Sequence, residues 1–258
     1  MSELERCIEF VCGIADRAAK QKVPSPFGVA HLNDDLPAVW SRNYLFATDN
    51  LEEVDARTLV AETDRLLAPR GLRHRKIELV DPEAGARLEP GFRELGWIAQ
   101  CDVIMTVHRP LDRDVDTSEV NEVSFDEIAA AWAEGWRVDS HVENEETVQQ
   151  LVENKRVVTG SIDTRFFASS VGGEIASYCE LYSDGRTAQV ENVFTLERFR
   201  KLGLARATVS RALEEAHAGE HDLIFLLADR DDWPKLLYEK LGSDEIGRIW
   251  EFIRPPTK

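Results

Sequence analysis

The chain has 258 residues, of which 43% are hydrophobic and 31% are charged, and its formal net charge is −17 at pH 7. These values predict a globular protein of one or two domains and argue against a disordered chain. The excess of acid argues against nucleic acid or an anionic membrane surface as a partner. An acidic start and the absence of a long apolar stretch predict a cytoplasmic protein without a membrane span. The four cysteines lack metal-ligand spacing and the six histidines are scattered, so we expect no metal site.

The first half of the chain predicts helices alternating with strands. Ser2 and Glu5 have the spacing of a capping box, which starts a helix running to about Lys20. Extended segments follow Pro24 and Pro26. Further on, the pattern predicts an extended segment at 43–48, a helix at 55–67, a strand at 76–80, a helix ending near 96 and a strand at 97–109. Residues 110–118 have no apolar period and predict a linker.

The second half predicts a longer series of elements. Ser124 and Glu127 form a second capping-box pattern after a short strand at 120–123. The remaining predicted elements are a helix at 143–156, a three-stranded meander at 164–171, 174–182 and 186–195, a helix ending near 218, a strand at 223–228, a helix at 232–241 and a strand at 246–253.

Residues 200–205 lie where the meander ends and the next helix begins. Gly203 allows close approach of a ligand to the backbone, and the first N–H groups of the helix have no intrahelical partner. From Leu196 to Arg211 the chain has five basic residues and one acidic residue. A solvated basic helix start is the alternative interpretation, but cations are disfavoured at that end of a helix dipole. The pattern therefore favours an anion site, such as one for phosphate.

The order of elements repeats within the chain. Residues 56–81 span a helix and a strand, as do residues 205–229, and both copies end in a strand closed by Arg-Pro. Where the second copy has Arg200 to Ala205, the first has residues 51–56, with three acids and no glycine. Where the second has Tyr238, the first has Phe92. The first copy is therefore predicted to lack the phosphate site.

At these residues the sequence resembles the GNAT superfamily of N-acetyltransferases. The pyrophosphate signature of that family falls on Arg200, Gly203 and Ala205, after a strand, 190–195, that resembles the family's fourth strand. Residues 237–242 resemble its closing helix signature. The resemblance implies an α/β, mixed α+β fold with a central, mostly antiparallel sheet flanked by helices. It also implies a tandem arrangement, with a degenerate GNAT-like domain at 1–110 and an active domain at 119–258.

The resemblance further implies acetyl-CoA as co-substrate, without a metal. On this basis the strand end would bind the acetyl-pantetheine arm through Val193, Phe194 and Thr195. The pyrophosphate would lie on the N–H groups of the helix start, with Arg200 beside it. The residues of that start are Lys201, Leu202, Gly203, Leu204, Ala205 and Arg206.

The implied reaction moves an acetyl group to a primary amine of an unidentified small molecule or peptide. Val193 N–H is the candidate donor to the oxyanion, and Tyr238 is the candidate acid at sulfur, its alternative being a core tyrosine. Glu191 is the candidate base, since strand alternation would place it on the same face as Val193 and Thr195. Most strand glutamates are simply solvated, and Glu180 is the second candidate.

The main alternative is a non-catalytic acyl-CoA-binding or regulatory module. Residues 229–234 lack the asparagine that many members of the family carry there, and Ser243 replaces a usual aromatic or apolar residue. Acceptor-binding residues are expected at about 131–145 and on the strand faces. His141 lies in that loop and is interpreted as a surface residue. The sequence contains no signal of oligomeric state.

Overall fold

The computed structural model describes residues 1–138, 142 and 144–256. In this part of the chain the helices are α1 Glu3–Ala18, α2 Ala56–Leu67, α3 Pro82–Glu94, α4 Phe125–Arg137, α5 Glu145–Thr159, α6 Leu204–Ala218 and α7 Pro234–Lys240. The strands are β1 Gln21–Ser25, β2 Gly28–Leu32, β3 Tyr44–Ala47, β4 Arg75–Leu79, β5 Ile98–Val107, β6 Val120–Val123, β7 Asp163–Val171, β8 Glu174–Ser183, β9 Thr187–Thr195, β10 Leu223–Asp229 and β11 Ser243–Arg254. The predicted fold class, α/β with a large sheet flanked by helices, is confirmed.

Local capping explains why several helices begin where the sequence predicts. Ser124 and Glu127 form the capping box of α4, with the carboxylate of Glu127 accepting from the Ser124 N–H at 2.7 Å. Ser2 and Glu5 make the same reciprocal contacts before α1. In both cases the side chains satisfy N–H groups that a helix start leaves without a partner.

The chain divides into two compact units. Unit 1 comprises Met1–Phe10, Ile104–Ala228 and Asp232–Ile246, and unit 2 comprises Val11–Val103, Asp229–Asp231 and Gly247–Lys258. Both units are therefore discontinuous, and the strands β5 and β11 each contain residues of both. The predicted ranges 1–110 and 119–258 are continuous and differ from this division.

In unit 1 the strands lie in the order β6, β7, β8, β9, β10, antiparallel except for the parallel pair β9 and β10. Thr208 of α6 contacts Ser169 and Cys179, whereas Trp132 of α4 packs with Phe166 and Tyr178. Because successive strand residues point to opposite faces, α6 and α4 cover opposite faces of the sheet.

In unit 2 the order is β1, β2, β3, β4, β11, with β3 and β4 parallel and the other neighbours antiparallel. The sequence predicts only extended segments near Pro24, where the structure has the β1–β2 hairpin. Pro24 is tolerated because β1 is an edge strand. The N–H that proline lacks there removes no hydrogen bond between interior strands. Trp250 and Phe252 of β11 lie in the core of unit 2. Among the described residues, no helix has the length and apolar character needed to cross a bilayer.

Candidate functional site

A cavity of about 850 Å³ lies in unit 1 at the end of β9. The parallel pairing of β9 and β10 ends at Val190 and Leu226, although both strands continue beyond these residues. The cavity is lined by Val193, Phe194, Thr195, Phe199, Arg200, Lys201, Gly203, Leu204, Ala205, Arg206, Asp232, Trp233, Pro234, Leu237 and Tyr238. Ligands of α/β proteins commonly bind at the carboxyl ends of parallel strands, where this cavity lies.

The start of α6 forms one wall of the cavity. Gly203 is the N-cap residue, with φ +82°, and no side chain caps this helix. Lys201 is also in the left-handed region, with φ +68°. The first-turn residues Leu204 to Arg206 line the cavity, and their N–H groups are among those that a helix leaves without an intrahelical acceptor. Together with the helix dipole, these features suit an anion, and residues 201–206 are named the α6 cradle.

The basic side chains near α6 contribute unequally to this wall. Three of the five are in ion pairs, namely Arg198 with Glu134 and Glu174, Arg206 with Asp112, and Arg211 with Glu215. Arg200 and Lys201 are exposed and line the cavity. The positive charge available to a ligand is therefore smaller than the count of basic residues in the sequence indicates.

A β-bulge shapes β9 where it reaches the cavity. Glu191 pairs with Glu180 and Phe194 pairs with Tyr178, so two residues of β9, Asn192 and Val193, lie opposite the single residue Cys179. Asn192 has φ +51°. Asparagine is one of the few residues other than glycine that adopts this conformation readily. The bulge places Val193 at the cavity wall, out of the regular ladder.

Tyr238 of α7 also lines the cavity, with only 5% of its surface exposed. Burial, and then the charges of Glu191 and Cys179, raise the pKa of Tyr238 well above its ordinary value of 10.0. The hydroxyl therefore keeps its proton at neutral pH and is available as a donor.

Residues 126–242 match the model of the Acetyltransferase (GNAT) family. These residues form a GNAT domain. Its family-level chemistry is acyl transfer from acetyl-CoA. No curated protein sequence matches the chain.

The fold similarity to solved structures extends beyond residues 126–242, and in two of them it covers more than nine tenths of the chain. A functionally unknown conserved protein from Staphylococcus epidermidis has a TM-score of 0.66 and 12% identity, covering 92% of this chain and 94% of that one. A GCN5-related N-acetyltransferase from Kribbella flavida has a TM-score of 0.61 and 19% identity, with 98% and 96% covered. A tandem GNAT protein from the clavulanic acid biosynthesis pathway has a TM-score of 0.51 and 15% identity, with 78% and 70% covered. At these identities the likeness shows the fold alone.

The cavity of the GNAT domain brings together most of the site residues predicted from the sequence. Of the ten predicted coenzyme-binding residues, only Leu202 is not part of the cavity wall, and its side chain is 62% exposed. Trp233, which lines the cavity while 60% exposed, was not predicted. Trp233 follows the carboxyl end of β10, the strand parallel to β9. That position in the sequence could have marked it as a candidate ligand contact.

Glu191, the candidate base, does not line the cavity. The expectation that it shares a strand face with Thr195 is wrong. Glu191 pairs with Glu180, whereas Thr195 pairs with Ser177, three positions away on β8 and hence on the other face. The bulge is the physical reason, because one extra residue reverses the alternation after Asn192. Glu191 accepts a hydrogen bond of 2.6 Å from the side-chain amide of Gln189.

Glu180, the second candidate for the base, is fully buried. Its Oε1 accepts from Asn192 Nδ2 at 2.5 Å and from Lys155 Nζ at 2.7 Å. Its Oε2 accepts from the Tyr182 hydroxyl. Both carboxylate oxygens are thus engaged, which leaves Glu180 poorly suited to accept a proton from a substrate. His141 lies outside the described residues.

The corresponding helix start in unit 2 is closed by its own side chains. Asp55 caps α2, its carboxylate accepting from the Thr58 N–H at 2.8 Å. The backbone carbonyls of Leu51 and Val54 accept from the Arg87 guanidinium. Phe92 is fully buried and stacks on Phe252, with ring centroids 4.0 Å apart. In the described part of the chain, no group of three or more His, Cys, Asp or Glu residues could hold a metal ion.

Proposed function

We propose that the GNAT domain transfers an acetyl group from acetyl-CoA to a primary amine of a small molecule or peptide. The observation that carries this proposal is that one cavity contains the α6 cradle, the end of β9 and Tyr238. Its volume of about 850 Å³ lies in the range of about 300–1,000 Å³ common for ligand sites.

The coenzyme would lie with its pyrophosphate at the uncapped start of α6. The left-handed conformation of Gly203, with nothing within 4 Å of a Cβ built there, supports close approach of an anion. Arg200 and Lys201 would add positive charge. The pantetheine arm would extend along the strand end formed by Val193, Phe194 and Thr195, where β9 is no longer paired with β10.

The proposed chemistry is direct attack of the amine on the thioester. The amine nitrogen loses a proton and bonds to the carbonyl carbon, and the negative charge that develops on the carbonyl oxygen is stabilised by Val193 N–H. The C–S bond then breaks, and Tyr238 donates its hydroxyl proton to the departing sulfur. Glu191, which does not line the cavity, would accept the amine proton through a water from its position on the α4 face of the sheet.

We further propose that the N-terminal region is a degenerate GNAT-like copy that does not bind the coenzyme. The cap of α2 by Asp55 places a carboxylate where a phosphate would have to lie. The fold likeness to a tandem GNAT protein supports a two-copy arrangement.

The test is release of free thiol when the protein is mixed with acetyl-CoA and a panel of amines. Gly203→Glu should abolish both coenzyme binding and thiol release, because it adds strain and negative charge at the helix start. Gly185→Glu is a matched control, since Gly185 also has a left-handed φ, +88°, with open space around it, and lies in the β8–β9 hairpin. If acetyl-CoA binds but no amine in the panel raises thiol release above hydrolysis, the catalytic proposal fails and the binding-module interpretation stands.

A further inference from the structure

Asn192 has a backbone conformation that is unusual inside a strand, although asparagine tolerates it better than most residues do. It is a non-glycine residue at φ +51°, inside a strand, and it directly precedes Val193 at the cavity wall. A residue other than glycine stays in this sparsely populated conformation when its surroundings hold it there, and such residues cluster at functional sites. The contacts of the Asn192 side chain therefore bear on how the strand end is held.

One buried carboxylate holds the Asn192 side chain. Glu180, on the neighbouring strand, accepts the Asn192 side-chain amide at 2.5 Å. Glu180 is itself held by Lys155 of α5 at 2.7 Å and by the Tyr182 hydroxyl. Lys155 is 11% exposed, and its ammonium lies 5.5 Å from the centre of the Trp132 ring. The carboxylate thus has partners on both oxygens and no exposed surface.

We propose that Glu180 is a positioning residue, which fixes the bulge through Asn192 and so orients the Val193 N–H towards the reacting carbonyl. This inference rests on the proposed acetyl transfer. Well-packed apolar residues commonly stabilise a core at least as well as a buried ion pair does. The Lys155–Glu180 pair is consistent with a role in fixing one particular backbone geometry, which a generic core does not require.

Two variants of Asn192 separate conformation from contact. Asn192→Gly and Asn192→Ala both remove the amide that Glu180 accepts, but only glycine adopts a left-handed φ without strain. If the bulge orients the oxyanion donor, the kcat of Asn192→Gly exceeds that of Asn192→Ala by about tenfold or more, since loss of such a donor typically costs about 10²–10³ in kcat. The KM for acetyl-CoA should stay similar in both variants, because the α6 cradle is unchanged.

A double-mutant cycle tests the role of Glu180 itself. Glu180→Gln should lower kcat in the wild-type background and have a smaller effect in the Asn192→Gly background, where the hydrogen bond between the two side chains is already absent. Equal losses of kcat in both backgrounds, or a lower melting temperature with kcat unchanged, would overturn the inference. Thermal melts of all four proteins identify any variant that does not fold.

Amide hydrogen exchange gives a readout that is independent of turnover. Faster exchange at Asn192 to Phe194 is expected in Asn192→Ala and in Glu180→Gln than in wild type, while exchange in α6 stays the same. Unchanged exchange at these amides would contradict the positioning role. If wild type releases no thiol with any amine, the proposed function fails, and the exchange data alone decide whether Glu180 holds the bulge.

Discussion

The guanidinium of Arg206 donates a hydrogen bond of 2.6 Å to the carboxylate of Asp112. Arg206 lies in the first turn of α6 and lines the cavity, with 11% of its side chain exposed. Asp112 lies in the segment that the sequence predicts to be a linker, and its N–H donates to the Lys240 carbonyl at 2.9 Å. A residue of this segment therefore pairs with a charged side chain at the wall of the cavity.

Asp112→Asn should tighten coenzyme binding. Removing the carboxylate leaves the Arg206 charge available to the pyrophosphate, and because exposed pairs contribute little, the decrease in Kd should be at most about fivefold. Titration calorimetry with CoA measures the change, which should shrink at high ionic strength. Asp116→Asn, in the same segment, controls for net charge. Weaker binding by Asp112→Asn would mean that the pair instead holds Arg206 in its binding position.

Tyr238→Phe should lower kcat by about tenfold or more while the Kd for CoA stays within about twofold, since general acid catalysis typically contributes about 10²–10⁴. Because burial raises the pKa of Tyr238 above 10.0, the hydroxyl retains its proton throughout neutral and mildly alkaline pH. The wild-type rate should therefore show no alkaline loss from this group below about pH 10. Steady-state kinetics across pH test both points, and an unchanged kcat would show that Tyr238 serves only in the core.

Asp102→Asn should stabilise the protein at pH 8 and have little effect near pH 4. Burial, with the charges of Glu251 and Asp229, raises the pKa of Asp102 from 3.8 to about 6. The folded state therefore binds this proton more tightly than the unfolded state does, and stability is lost as pH rises from 3.8 through about 6. Melting temperatures should rise by about 2–4 °C for each kcal/mol gained. The exposed Asp163→Asn is the control, and equal effects of Asp102→Asn at both pH values would contradict the argument.

Gly85→Ala should strongly destabilise unit 2. A Cβ at Gly85 of α3 would lie 2.1 Å from Cδ1 of the buried Trp250 indole. Overpacking of this kind costs about 1–3 kcal/mol. Gly13→Ala is the matched control in a helix interior, because there the added methyl meets only the flexible end of Arg17 and should stabilise α1 by about 1 kcal/mol. Urea unfolding of both variants measures the difference, and equal stabilities would show that Trp250 moves freely.

Features that depend on neighbouring residues in the chain could be predicted from the sequence. The start of α4 follows from Ser124 and Glu127, and the left-handed start of α6 follows from Gly203, because capping and glycine conformation are local properties. The sequence also predicts that the two helix starts differ, because one has Gly203 and the other has Asp55 among three acids. In the structure, Asp55 and Ser124 cap their helices through the side chain, and Gly203 begins α6 in the left-handed conformation.

Features that depend on strand register could not be predicted. The prediction that Glu191 shares a strand face with Thr195 was wrong because the bulge at Asn192 adds one residue to β9. Only the pairing with β8 reveals such a bulge. The division of β11 between two units is likewise a property of tertiary pairing, since the alternation of residues 246–253 is the same whichever sheet they join. Partners of basic residues, such as Asp112 for Arg206, lie far away in the sequence for the same reason.

The pairing of β11 with β4 sets an order for folding during synthesis. Domains commonly fold as units while the chain leaves the ribosome, starting from the N-terminal end. Here Trp250 and Phe252 complete a core whose other members lie before residue 104, and Trp250 pairs with Leu79. The unit that contains most of the earliest residues is therefore the last to be completed. A nascent chain that stalls before residue 247 exposes the edge of Arg75–Leu79 and part of that core to chaperones and proteases.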